Sequence, residues 1–379
     1  MAGSLGDHLY AAGGALRNRL FAAALLGAFA FAQTAYGAEN LDPLLEDVRA
    51  KRNVPALAAL VLKDGEVVAE GAVGERAYGS GVAVTRDDLW HIGSNTKAMT
   101  AFLAQRLIDQ RLMARDENVG RVFANVAPMM RDAWRDVTLD DLFSHRSGLP
   151  ANLPGLAILM FKGDGRPLMH QRASFAEAAL ASLPAGERGA HFEYSNTGFV
   201  LASSIMEHVA AEDFETLIDL HVFQPLGITH YGWGPPGDEG TLAQPVAHDG
   251  VTPITSHLMA DNPRVFSGAG TLHISMRDWA KFADAMLDAM AGDTSLISDL
   301  SLSHLITPQH EGSTYAGGWA LVTPLGAGVI AHEGSNTLWY AIIAISPRTN
   351  TAILLASNSG AARDAEVEVL QALIGQWPL

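Results

Sequence analysis

The chain has 379 residues, no cysteine and a formal net charge of −16 at pH 7. At 48% hydrophobic and 17% charged residues it is no disordered protein, and it has ample core for one large domain or two lobes. The charge argues against a nucleic-acid backbone or an anionic membrane surface as partner, and the missing cysteine excludes disulfides, thiolate catalysis and cysteine-ligated zinc.

In chain order, Arg17 and Arg19 precede an apolar run over 20–31, and Ala35-Tyr36-Gly37 then offers small residues at both positions a signal peptidase inspects. Residues 1–37 are expected to be a cleavable signal peptide, which places the protein in the periplasm or outside the cell. No later stretch is long and apolar enough for a membrane span. A helix is expected over 41–52. Runs over 56–62 and 66–73 around Lys63-Asp64-Gly65 predict a β-hairpin. A helix follows Ser94, with Met99, Leu103 and Leu107 on one stripe. Thr138 with Asp140 and Asp141 reads as a capped helix start, ended by Gly148 and Pro150. Helical stretches near 174–182 and 196–211 lie among many Gly and Pro punctuations. Residues 275–290 form an amphipathic helix with Trp279, Phe282, Ala283 and Met286 on its apolar side. Strands are expected over 317–323, 326–331, 338–346 and 351–357, and a helix over 366–377. Strands at both ends and helices between them predict an α/β (α+β) fold: one antiparallel sheet flanked by helices and an inserted, mostly helical lobe. The catalytic domain would span 38–379, its α/β part about 40–115 and 266–379, its lobe about 116–265.

Three short motifs carry the chemistry. Ser94-x-x-Lys97 is the only S-x-x-K in the chain. At helical spacing the two side chains share a face, and a lysine kept neutral by burial can take a serine proton. The N–H of Ser94 lies at the positive end of the helix dipole. Tyr194-x-Asn196 is the only Y-x-N; a phenol beside an ammonium is lowered in pKa and shuttles protons, and an asparagine offers a donor and an acceptor to an amide. His-x-Gly occurs five times, from His91, His230, His248, His310 and His332. His332-Glu333-Gly334 is selected by its place between two expected strands. Gly334 would let substrate approach the backbone, and the Ser335 N–H would be an oxyanion donor beside that of Ser94.

Taken together, these motifs resemble the serine β-lactamase and penicillin-binding-protein superfamily, and the Tyr-x-Asn form is similar to its class C branch, which includes D-aminopeptidases, DD-carboxypeptidases and family VIII esterases. Residues 142–150 and Ser267-Gly268-Ala269-Gly270 add to the resemblance, which covers roughly 42–376. It implies that Ser94 is an acylated nucleophile, that Lys97 and Tyr194 share the acid and base work, and that Asn196 binds substrate. Gly334 and Ser335 would edge the oxyanion hole. His332 stands where many relatives carry lysine, and Glu333 replaces a threonine that helps hold a substrate carboxylate. If Glu333 faces the cleft it repels such a carboxylate; if strand alternation turns it away, there is no such repulsion.

No G-x-S-x-G elbow and no H-E-x-x-H or clustered ligand spacing occurs among the 14 histidines, so no metal or cofactor is expected. The partner would be a small-molecule or short-peptide substrate. Three readings stay open: an exported hydrolase of an amide or peptide bond, a carboxylesterase using the same residues, and a binding or sensor domain that acylates and stops.

Overall fold

The computed structural model describes residues 37–379 except 127 and 128. The expected leader lies outside the described residues up to position 36. Residues 37–379 form one compact unit.

The strands in chain order are β1 (Glu39–Asn40), β2 (Ala56–Lys63), β3 (Glu66–Gly74), β4 (Leu89–His91), β5 (Tyr231–Trp233), β6 (Ala247–Asp249), β7 (Thr252–Ile254), β8 (Leu272–Ser275), β9 (Tyr315–Ala316), β10 (Trp319–Leu321), β11 (Ile330–Ser335), β12 (Tyr340–Ser346) and β13 (Thr351–Ser357). Eight of them make the main sheet, ordered β1-β3-β2-β13-β12-β11-β10-β9. Only the two-residue β1 runs parallel to its neighbour. The β2–β3 hairpin closes through Asp64 and Gly65, at φ +51° and +79°, the left-handed pair that a tight two-residue hairpin loop demands. This N-terminal hairpin joins the C-terminal strands by β2–β13 pairing, Ala58 opposite Ala356. Such pairing accounts for a sheet assembled from both chain ends.

Strands β12 and β13 are buried at every position. They read as unbroken apolar runs because helices cover both sheet faces. On one face lies the larger core, with Met276–Met290 and Thr96–Asp109. On the other lie Asp42–Arg52 and Arg363–Gln376, through Leu45, Val48, Val369 and Leu373. The helix start at Thr138 is a full capping box with Asp141.

Three expectations change. The strand expected to end at 331 runs from Ile330 through His332 to Ser335, because its pairing with β12 continues to Ser335 opposite Tyr340. The segment read as a mostly helical lobe also holds β5, β6 and β7, and β5 pairs with β8 of the other part, Tyr231 opposite Ile274. The two parts therefore share a sheet as well as the larger core. The helix Gly155–Lys162 was not expected: its sequence GLAILMFK is nearly all apolar, and it buries no residue. Without a polar face it carries no amphipathic period.

Candidate active site

Strand β4 delivers the chain into a 3-10 turn, Gly93–Asn95, which opens the helix Thr96–Asp109. Gly93 takes φ +52° at this junction. Thr96 Oγ1 donates to the Gly93 carbonyl at 2.7 Å, and Asn95 Nδ2 donates to Ile92 O at 2.9 Å and Ala341 O at 3.1 Å. The turn is thus fixed to its own helix and to β12. Met99, Leu103 and Leu107 bury the helix. Between positions 91 and 100 every residue but Ser94 is buried.

Lys97 is wholly buried. Its Nζ lies 3.0 Å from Ser94 Oγ, 2.7 Å from Asn196 Oδ1 and 2.6 Å from the Ala269 carbonyl. Burial holds its pKa well below the ordinary lysine value. A neutral amine has two N–H bonds and one lone pair. The two carbonyl oxygens can only accept, so they take both N–H bonds, and the lone pair is left for the Ser94 hydroxyl. Asn196 is oriented for this by its Nδ2, which donates to Asn152 Oδ1 at 3.0 Å.

Tyr194 lies beside this pair. Lys97 Nζ is 4.9 Å from its ring centroid, and its hydroxyl is hydrogen-bonded to Ser94. The expected lowering of its pKa is reversed: burial pushes the phenol up to about 12, and the bond to Ser94 only partly opposes this. A buried neutral lysine supplies no charge to stabilise a phenolate. Ser195 caps the helix Asn196–Ala210 with its Oγ on the Gly198 N–H, so capping and site geometry coincide in one tripeptide.

Beneath Tyr194 sits His145, a residue that motif reading did not single out. The rings are 4.3 Å apart. His145 Nδ1 accepts the Ser195 N–H at 3.0 Å, and its backbone takes φ +58°. It clamps the Tyr194-Ser195-Asn196 loop, and burial keeps it neutral, its pKa well below the histidine value.

His332 and Gly334 point to the Ser94 side of β11, and Glu333 and Ser335 are exposed. His332 Nε2 lies 2.9 Å from the hydroxyl of the buried Tyr315. Burial, and then any charge on Lys97, brings the histidine down to about 3, so it is neutral. A Cβ on Gly334 would lie 2.0 Å from Ile92 O and 2.9 Å from Ser94 N. One on Gly270 would lie 3.3 Å from the same nitrogen, and one on Gly93 2.7 Å from Ser335 N. The backbones of Ser94 and Ser335 are therefore neighbours, and glycines border the Ser94 N–H.

Glu333 does not belong to this group. Its carboxylate accepts from the Tyr340 hydroxyl and from Arg363 Nε and Nη2 at 3.1 and 3.2 Å. Alternation along β11 turns it to the sheet face that carries the C-terminal helix. The expectation of Glu333 as a substrate-binding residue is corrected, and the repulsion argued for it lapses.

A family model described as Beta-lactamase matches residues 41–376. Penicillin-binding protein 4 of Amycolatopsis lactamdurans is 25% identical over 355 residues, 90% of each chain. An unguisins hydrolase of Aspergillus campestris is 27% identical over 305 residues, 73% of this chain and 53% of its own length; this chain spans about half of that relative. The D-amino acid amidase of Ochrobactrum anthropi, solved with L-phenylalanine amide, shares the fold at a TM-score of 0.70 and 20% identity, over 89% of this chain and 98% of its own.

Proposed function

The chain belongs to the β-lactamase family and is a serine hydrolase; on that premise we propose that Ser94 is acylated by an amide or peptide substrate without a carboxylate beside the scissile bond. The observation that carries this is the set of three contacts around Lys97 Nζ. The neutral amine takes the Ser94 proton as Oγ attacks the carbonyl carbon. The carbonyl oxygen turns toward the N–H groups of Ser94 and Ser335. Tyr194, still a phenol, gives its proton to the leaving nitrogen and regains one from Lys97. Water then releases the acyl group by the reverse relay. Asn196 holds Lys97 and meets the substrate amide.

The preference for an uncharged substrate rests on neutrality. His332 is neutral where many relatives carry lysine, Tyr194 is protonated, and Glu333 faces the other side of the sheet. A penicillin or a peptidyl-D-Ala-D-Ala brings an anion that none of these groups meets. A carboxylesterase reading is favoured by one feature: Leu156 and Met160, 77% and 75% exposed, stand on the helix a few residues beyond Asn152, apolar surface suited to an acyl chain.

A hydrolysis panel of amino-acid amides, p-nitrophenyl esters, nitrocefin and peptidyl-D-Ala-D-Ala tests the proposal. Amide turnover abolished by Ser94→Ala supports it; ester turnover alone moves the assignment to the esterase. Stoichiometric acylation without turnover would make the protein a sensor. Efficient nitrocefin cleavage would refute the carboxylate argument. Export by residues 1–37 is the accompanying proposal, supported by the arginines, the apolar run and the small residues before Ala38.

A further inference from the structure

Behind the catalytic turn lies a buried carboxylate that the proposed reaction does not use. Asp261 is 6% exposed, and its two oxygens serve two different backbone segments. Oδ2 lies 2.8 Å from Nε2 of the fully buried His91, and Oδ1 accepts Asn336 Nδ2 at 2.6 Å and the Asn262 N–H at 2.7 Å. On the far side of the His91 ring, Nδ1 accepts the N–H of Gly93 at 3.2 Å, one residue before Ser94. Asn336 follows Ser335 directly and accepts the Leu338 N–H at 3.2 Å, closing the turn into β12. Trp339 stacks on His91 at 5.7 Å and bonds Ala260 O through Nε1, which fixes the ring from a third side.

We propose that Asp261 is a positioning residue that sets the spacing of the two oxyanion donors, the Ser94 N–H through His91 and Gly93, and the Ser335 N–H through Asn336. The inference rests on the reading of Ser94 as nucleophile. The hydrogen-bond directions are forced. Gly93 N–H can only donate, so His91 Nδ1 accepts, and its proton sits on Nε2 facing the carboxylate. A carboxylate is the one side chain of this size that accepts on both oxygens. The arrangement also divides labour among the N–H groups of the turn. His91 takes that of Gly93, Asn95 N bonds Ile92 O, and the Ser94 N–H between them has no protein acceptor among the described residues. Oxyanion donors act only when held in place before the charge develops.

The test is Asp261→Asn, which keeps the shape. An amide must present its NH2 either to His91 Nε2–H or to Asn336 Nδ2 together with the Asn262 N–H, so one arm fails whichever way it turns. If the ring answers by moving its proton to Nδ1, that proton then opposes the Gly93 N–H. We expect kcat on a p-nitrophenyl ester and the labelling rate with a fluorophosphonate to fall about 10- to 100-fold, somewhat less than the loss of a whole donor. KM should stay within about twofold, and affinity for phenylboronic acid, which places an oxygen in the hole, should fall in step with kcat. The double variant Asp261→Asn/His91→Ala should lose less than the product of the single losses, since both act through one chain of contacts. His91→Ala and Asn336→Ala, each cutting one arm, carry the same readouts should Asp261→Asn not fold. Wild-type kcat and boronate affinity in a folded variant, or fully multiplicative losses, overturn the inference while wild-type labelling at Ser94 still stands. Wild type that is not labelled at Ser94 overturns the nucleophile reading, and the inference with it.

Discussion

Glu333 and Arg363 form a two-pronged ion pair at 3.1 and 3.2 Å, on the face of the sheet opposite Ser94. Both side chains are about half exposed, so the pair contributes at most about 1 kcal/mol. Glu333→Thr should leave the ratio of kcat/KM for a peptide acid and its amide unchanged, and lower the melting temperature slightly. A ratio that moves several-fold toward the acid would return Glu333 to the cleft.

In the proposed reaction Lys97 and Tyr194 act on one proton path. Lys97→Ala and Tyr194→Phe should each cost about 100-fold or more in kcat, and the double variant little beyond the worse single one. The proposed reaction uses Lys97 in its neutral form, so kcat/KM should rise with pH through the lysine pKa and then level. Burial sets that rise well below the ordinary lysine range. Tyr194, at about 12, stays protonated through neutral and mildly alkaline pH. An acid limb that persists unchanged in Lys97→Ala would assign it to another group.

His332 couples stability to acid. Its pKa is about 3 in the fold and 6.5 in the unfolded reference. Between these values the unfolded chain binds the extra proton, so stability is complete above about pH 6.5 and falls as pH drops toward about 3, by up to about 1.4 kcal/mol per pH unit. His332→Gln removes this contribution. Chemical denaturation at pH 7 and pH 4.5 should show a smaller acid loss in the variant than in wild type; equal losses would contradict the assignment.

Gly334 is a steric test of the turn. Its backbone is outside the left-handed region, so Gly334→Ala strains only through contact, and the contact is with backbone: Ile92 O at 2.0 Å. Strand or turn must shift, at about 1–3 kcal/mol. Labelling of Ser94 should be lost even where the protein still folds. Gly375→Ala, on the terminal helix with nothing within 4 Å, is the control and should leave labelling intact.

Mass spectrometry of protein recovered from its native compartment should give an N-terminus near Ala38. Intact Met1 on the active protein would refute export.

How much was legible in the sequence depended on the range of the interaction. Local patterns stood out: the Asp64-Gly65 hairpin turn, the Thr138 capping box, the amphipathic helix after Ser275, and the S-x-x-K and Y-x-N spacings, because each is set by a few bonds between near neighbours. The strands at the two chain ends were legible as strands, and the sheet built from both ends was the natural consequence. What required the tertiary structure was every property set by residues far apart in the chain. The direction of Glu333 depended on where β11 ends, which its pairing with β12 determined. The rise in the Tyr194 pKa and the fall in that of Lys97 both came from burial, and the direction of the Lys97 amine from carbonyl partners 99 and 172 positions away. His145 and Asp261 looked like an ordinary histidine and aspartate because their partners, Ser195 and His91, lie 50 and 170 residues off. Side-chain type and spacing determine which chemistry is available; burial and long-range hydrogen bonding determine the protonation state and direction in which it is held.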